Sequence, residues 1–107
     1  RLDGAAVQRV FAGVHVVAEC LDRADQKQML VEAVLSGMAQ PVVTVSGLAG
    51  YGRSNAIQTR RVSSRLVLIG DGQSDAYSSL PLTAGRVWIA AAHQANAIVE
   101  LLLDEIL

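Results

Sequence analysis

The chain of 107 residues carries one cysteine, Cys20. A single thiol can close no internal disulfide and build no multi-cysteine zinc site, which fits a reducing, cytoplasmic setting. An excess of charge is missing too, since nine Lys or Arg against ten Asp or Glu leave a formal net charge of -1. No global field therefore draws the chain onto nucleic acid or an anionic membrane, and neither is expected as a partner. The start shows no signal-peptide pattern, and no internal repeat, low-complexity segment or linker follows. The most apolar stretch, Val87 to Leu107, is broken by His93, Gln94, Asn96, Glu100, Asp104 and Glu105, with Arg86 just before it. That is too much polarity for a membrane span, so the stretch reads as a buried or interface helix. The phosphate-loop pattern GxxxxGK[ST] occurs nowhere,.

What is present is apolar: hydrophobic residues make up 51% and charged residues 18%. This balance excludes intrinsic disorder, and the length suits one domain, since two cores would each be too small to offset chain entropy. Little charge is left to coat the surface, so some apolar surface is expected to meet a partner. The chain begins at Arg1, and Leu2 to Ala12 reads as the interior of a helix-strand unit; the expectation is a piece of something longer.

Along the chain, Asp3 is placed to cap a short helix through Val7, Val10 and Phe11, with Gly13 ending it. Val14 to Glu19 reads as a buried parallel strand, and Ala24 to Ser36 repeats its apolar residues at helical spacing, with Gly37 as C-cap. Pro41 then stops helix, and Val42, Val43 and Val45 form a second buried strand, completing a parallel strand-helix-strand unit. Two further strands, from Ile57 to Arg61 and from Arg65 to Ile69, are expected to pair as a hairpin joined at Ser63-Ser64. A loop follows Gly70-Asp71-Gly72, and Thr83 is placed to cap a long final helix to about Asp104. The fold class is α/β: a partial Rossmann-like layered domain with a strand-helix-strand unit, a β-hairpin and a long C-terminal helix.

Five groups of residues invite chemical roles. Gly47-Leu48-Ala49-Gly50-Tyr51-Gly52 is glycine-rich, but its spacing is not GxGxxG and strand follows it, so a flexible turn or partner-binding loop is expected. Asp22 stands just past a buried strand and before a helix, where it either holds a metal at the ligand edge of the sheet or caps the helix. Cys20 is expected to be buried as a small hydrophobe, being nucleophilic only if a positive neighbour lowers its pKa. His15 and His93 have no second ligand at metal-binding spacing and read as structural. Arg53, Arg60, Arg61 and Arg65 concentrate positive charge around the hairpin, suited either to an acidic partner or to a solvated edge strand.

Four segments taken together, Ala18 to Lys27, Val45 to Gly52, Gly70-Asp71-Gly72 and Gly85-Arg86-Val87 through Asn96, resemble the C-terminal half of ThiF-type adenylyltransferases. These are bacterial relatives of ubiquitin-activating enzymes that act on sulfur-carrier proteins in thiamine biosynthesis. The resemblance implies Mg-ATP-dependent adenylation of the C-terminal Gly-Gly carboxylate of a ubiquitin-like sulfur-carrier protein, in a cytoplasmic homodimer. It implies that an upstream half, absent from residues 1–107, supplies the nucleotide-binding loop, so that this segment alone is inactive. It matches Asp22 to the magnesium-holding aspartate and Lys27 to a basic position on the cofactor side. Ser46, Gly47, Arg53, Arg60 and Arg61 fall in the region that would receive the carrier tail. Arg23 stands where the family has Asn, and Ile69 where relatives carry a cysteine; the zinc-binding cysteine pairs of some relatives are absent, so no zinc is expected. The competing expectation is a non-catalytic oligomerisation or protein-binding module that uses the C-terminal helix.

Overall fold

A computed structural model describes residues 3–20, 24–72 and 82–106. In chain order these form α1 (Gly4–Val10), β1 (Val17–Glu19), α2 (Ala24–Gly37), β2 (Val42–Val45), β3 (Gln58–Ser63), β4 (Leu66–Gly70) and α3 (Ala84–Ile106), with a single 3-10 turn at Ser54–Ala56 before β3. The strands make one sheet in the order β1-β2-β4-β3. β1, β2 and β4 run parallel, and β3 closes the far edge antiparallel to β4. This is the expected α/β architecture with its strand-helix-strand unit, hairpin and long last helix.

Alternation along β2 sets the layers. Val42 enters a core with Val7, Val17, Leu30, Ala33 and Val34 from α1, β1 and α2, while Val43 enters another with Val67, Ile69, Ala90, Ala97 and Leu101 from β4 and α3. Successive strand residues point to opposite faces, so α1 and α2 cover one side of the sheet and α3 the other. A strand buried on both faces reads as an unbroken apolar run, which is why Val42 to Val45 was legible.

Two elements are bounded differently from expectation. Asp3 does cap α1, its Oδ1 accepting from the Ala6 amide at 2.8 Å, but the helix ends at Val10. β1 begins at Val17, not Val14, and Val14 and His15 are exposed. The reason lies in the neighbour: β1 is an edge strand whose ladder runs from Val17↔Val42 to Glu19↔Thr44. Pro41 stands just before that ladder, and its carbonyl accepts from Val17 at 3.0 Å; earlier residues have no β2 register to join.

Arg65 locks the hairpin onto α2. Its guanidinium donates to the carbonyls of Val34, Leu35, Ala39 and Gln40 at 3.0 to 3.1 Å, and also to that of Met38. The last carbonyls of a helix have no intrahelical partner and carry partial negative charge, so a cation there satisfies both needs. Arg65 is thereby removed from the positive patch that the sequence suggested. Of the rest of that patch, Arg53 precedes the 3-10 turn, while Arg60 and Arg61 lie on β3, which is exposed along its length and is an edge strand, where arginine discourages edge-to-edge pairing. Among the described residues, no helix is long and apolar enough to cross a membrane.

Candidate functional site at the carboxyl edge of the sheet

Open parallel sheets present their carboxyl ends to ligand. Here those ends are Glu19 at the close of β1 and Cys20 just after it, Ser46 and Gly47 after β2, and Asp71 and Gly72 after β4, side by side because β2 lies between β1 and β4. Asp22 and Arg23 lie outside the described residues.

The β1 end is clamped from both faces. On the α2 side the Glu19 side chain is fully buried and accepts from the Thr44 hydroxyl at 3.1 Å. Lys27, one turn into α2, donates to both Glu19 oxygens at 2.8 and 3.1 Å and to the Val45 carbonyl at 2.7 Å. Three acceptors match the three protons of an ammonium, and one of them belongs to β2, so Lys27 also stitches the two strand ends together. On the α3 side the Gln94 amide donates to the carbonyls of Glu19 and Val43 at 3.2 and 3.1 Å. Its oxygen accepts from the Cys20 thiol at 3.4 Å. Cys20 is exposed, contrary to the burial expected of it, because it has passed the end of the paired strand.

The glycine-rich loop after β2, expected to be a flexible turn or a partner-binding loop, is tied down by side chains at the start of α3 and just before it. Arg86, in the first turn of α3, is 3% exposed; it donates to the Leu48 and Gly52 carbonyls at 3.1 and 3.0 Å and pairs with Asp71 at 2.6 Å. The Thr83 hydroxyl donates to Gly50 at 2.8 Å, and the Asp71 amide donates to Gly47 at 3.1 Å. Gly50 forms an isolated bridge with Leu82. Two glycines are demanded by this closure. Gly47 has φ +78, and a Cβ on it would lie 2.5 Å from Asp71 Oδ1; one on Gly70 would lie 1.4 Å from the Ser46 carbonyl oxygen.

The residues matched to a cofactor or carrier tail are thus only partly gathered. Lys27, Ser46 and Gly47 meet at the carboxyl edge. Arg60 reaches it from β3, since a Cβ on Gly72 would lie 2.6 Å from its Nη1. Arg61, its chain neighbour, points to the opposite face and lies 3.6 Å from Glu100 of α3. Arg53 occupies the left-handed region at φ 45 ahead of the 3-10 turn. His93 meets the Thr59 hydroxyl through Nδ1 at 2.8 Å, a structural contact between α3 and β3.

Sequence reasoning assigned no role to Glu19, Gln94, Arg86 or Asp71. A carboxylate inside an apolar strand with a lysine eight residues on was the available signal for the first. Gln94 and Arg86 had been read as interruptions of an apolar stretch and as part of a segment resembling the family, with no contact assigned to either. Among the described residues, no group of three or more His, Cys, Asp or Glu is placed to hold a metal ion.

Fold and edge together define an α/β domain whose polar residues are concentrated where such sheets take ligands. Comparison of the chain with protein-family models, with curated proteins and with solved structures finds no match.

Proposed function

We propose that the chain is the C-terminal segment of an ATP-dependent adenylyltransferase that activates the C-terminal carboxylate of a ubiquitin-like sulfur-carrier protein. One observation carries the reading: the four segments that resemble ThiF-type enzymes, scattered from Ala18 to Asn96, are bonded to one another in a closed ring at the carboxyl edge. Lys27 joins the first to Val45 of the second. Gly47 of the second joins Asp71 of the third, Asp71 joins Arg86 of the fourth, and Gln94 of the fourth returns to Glu19 of the first.

The described residues do not by themselves fit Mg-ATP. Lys27 has its protons directed at Glu19 and Val45, and Asp71 is paired with Arg86. Magnesium and ATP are therefore assigned to Asp22 together with an upstream half, and the present residues act by position. Glu19, Lys27 and Gln94 fix the end of β1, from which the chain continues to Asp22. Arg86 and Asp71 hold the Ser46 to Arg53 loop against the ends of β2 and β4, and Arg60 brings positive charge beside Gly72, where an extended carboxylate tail would be received. Adenylation then depends on alignment of the carboxylate with the α-phosphate and on neutralising phosphate charge. A cytoplasmic location belongs to the same proposal.

The test is carrier-dependent ATP-pyrophosphate exchange after the upstream half is joined to this chain. Exchange is expected with the wild-type segment and should be largely abolished in Asp22→Ala. Unchanged exchange in that variant removes Asp22 from the mechanism.

A further inference from the structure

Of the sheet's two edges, β1 offers three residues and β3 six, all of the latter exposed. Among the described residues no strand pairs with the outer side of β3, so over about 20 Å, at about 3.3 Å per residue, it presents the outward row of N–H and C=O groups of an edge strand. The charges beside that row are of one sign. Arg60 reaches toward Gly72 on one face and Arg61 toward Glu100 on the other, and no acidic residue stands between Gln58 and Ser63. The Arg61 and Glu100 side chains are 3.6 Å apart and 48% and 66% exposed, a contact that water keeps weak,. Val62, 58% exposed, follows the two arginines.

We propose that the outer edge of β3 takes up an extended acidic segment of another protein as an added antiparallel strand. Main-chain hydrogen bonds supply the attachment and side chains the selectivity. Because Arg60 and Arg61 are consecutive, they stand on opposite faces of the sheet, and the partner needs two successive carboxylates, one for each face, to oppose them. An antiparallel strand reads in reverse, so the residue opposite Val62 precedes those carboxylates and is apolar.

Charge chooses this occupant over a second copy of the same strand. Two β3 strands paired antiparallel about their midpoint set Arg60 against Arg61 twice, and a parallel pair in register sets each arginine beside itself; like charges directly opposite are destabilising. The arginines that keep two such edges apart are the ones that attract an acidic strand, so repulsion and attraction select the same partner. This inference rests on β3 alone and holds whether or not the chain serves an adenylyltransferase. The carrier tail of that reading ends in a free carboxylate at the carboxyl edge, whereas the segment inferred here is internal to its own chain and lies along the side of the sheet.

The probe is a hexapeptide blocked at both ends, Thr-Val-Glu-Glu-Val-Thr, which has no terminal carboxylate to offer. Titrated into the isotope-labelled full chain and followed by amide resonances, it should shift Gln58 to Ser63 saturably, with half-saturation at about millimolar peptide or below. The counterpart with two lysines in place of the glutamates should shift none of them. N-methylation of both glutamates removes a ladder donor whichever way the strand is phased, and should weaken binding by about tenfold or more. The double variant Arg60→Glu, Arg61→Glu, at exposed positions, should keep the dispersed spectrum of the fold and reverse the preference, taking the lysine peptide and refusing the glutamate one. Absence of any saturable shift on β3 up to about ten millimolar peptide overturns the inference, as do shifts confined to Ser46, Gly47 and Gly72. So does equal binding of the two peptides, of the N-methylated one, or of the glutamate peptide by the double variant.

Discussion

Arg65 and Lys27 each tie separate elements together through one cationic group, and each can be tested by removing it. Arg65 meets five carbonyls, two in the last turn of α2 and three in the segment just after it, with one planar cation. Charge-assisted bonds contribute about 1.5–3 kcal/mol each against water, but these share one group, so Arg65→Ala should lower unfolding free energy by about 2–3 kcal/mol in urea titration. Arg65→Lys should recover less than half, because an ammonium cannot span the same fork of acceptors. Lys27→Met leaves the buried Glu19 carboxylate with the Thr44 hydroxyl but without its ion pair, and breaking a buried pair costs about 3–5 kcal/mol. The double variant Glu19→Gln, Lys27→Met should be less destabilised than Lys27→Met alone; a double variant worse than the single would show that the ion pair is not what holds this edge.

At the scale of elements, the loop from Ser46 to Arg53 behaves as part of α3 because Arg86 and Thr83 carry its carbonyls. Arg86→Met should therefore raise amide exchange at Gly50 to Gly52 by about tenfold or more, with β2 and β4 less affected, since exchange follows local opening. Equal loosening of the loop and both strands would mean that Arg86 supports the sheet as a whole. Gly70→Ala should be worse tolerated than any exposed glycine change, because its Cβ would fall on the Ser46 carbonyl. The same elements show how much could be read beforehand. α2, β2 and the hairpin were legible because their apolar periods are local properties of the chain. The start of β1 was not, since it depends on Pro41 in a neighbouring strand. Nor was the ring at the carboxyl edge: Arg86, Gln94 and Glu19 look like ordinary polar punctuation until the fold turns them inward. Asp22, the most specific of the expected site residues, lies outside the described residues.

For the whole molecule, one sheet with helices on both faces gathers the polar contacts of the proposed site at the carboxyl end of the strands. The central claim is that this chain completes a nucleotide site that it cannot form alone. Calorimetric titration with Mg-ATP tests it most directly, first on the 107-residue chain and then on the same chain joined to the upstream half. The account predicts no binding heat from the chain alone and saturable binding from the joined protein; tight binding by the chain alone would contradict it.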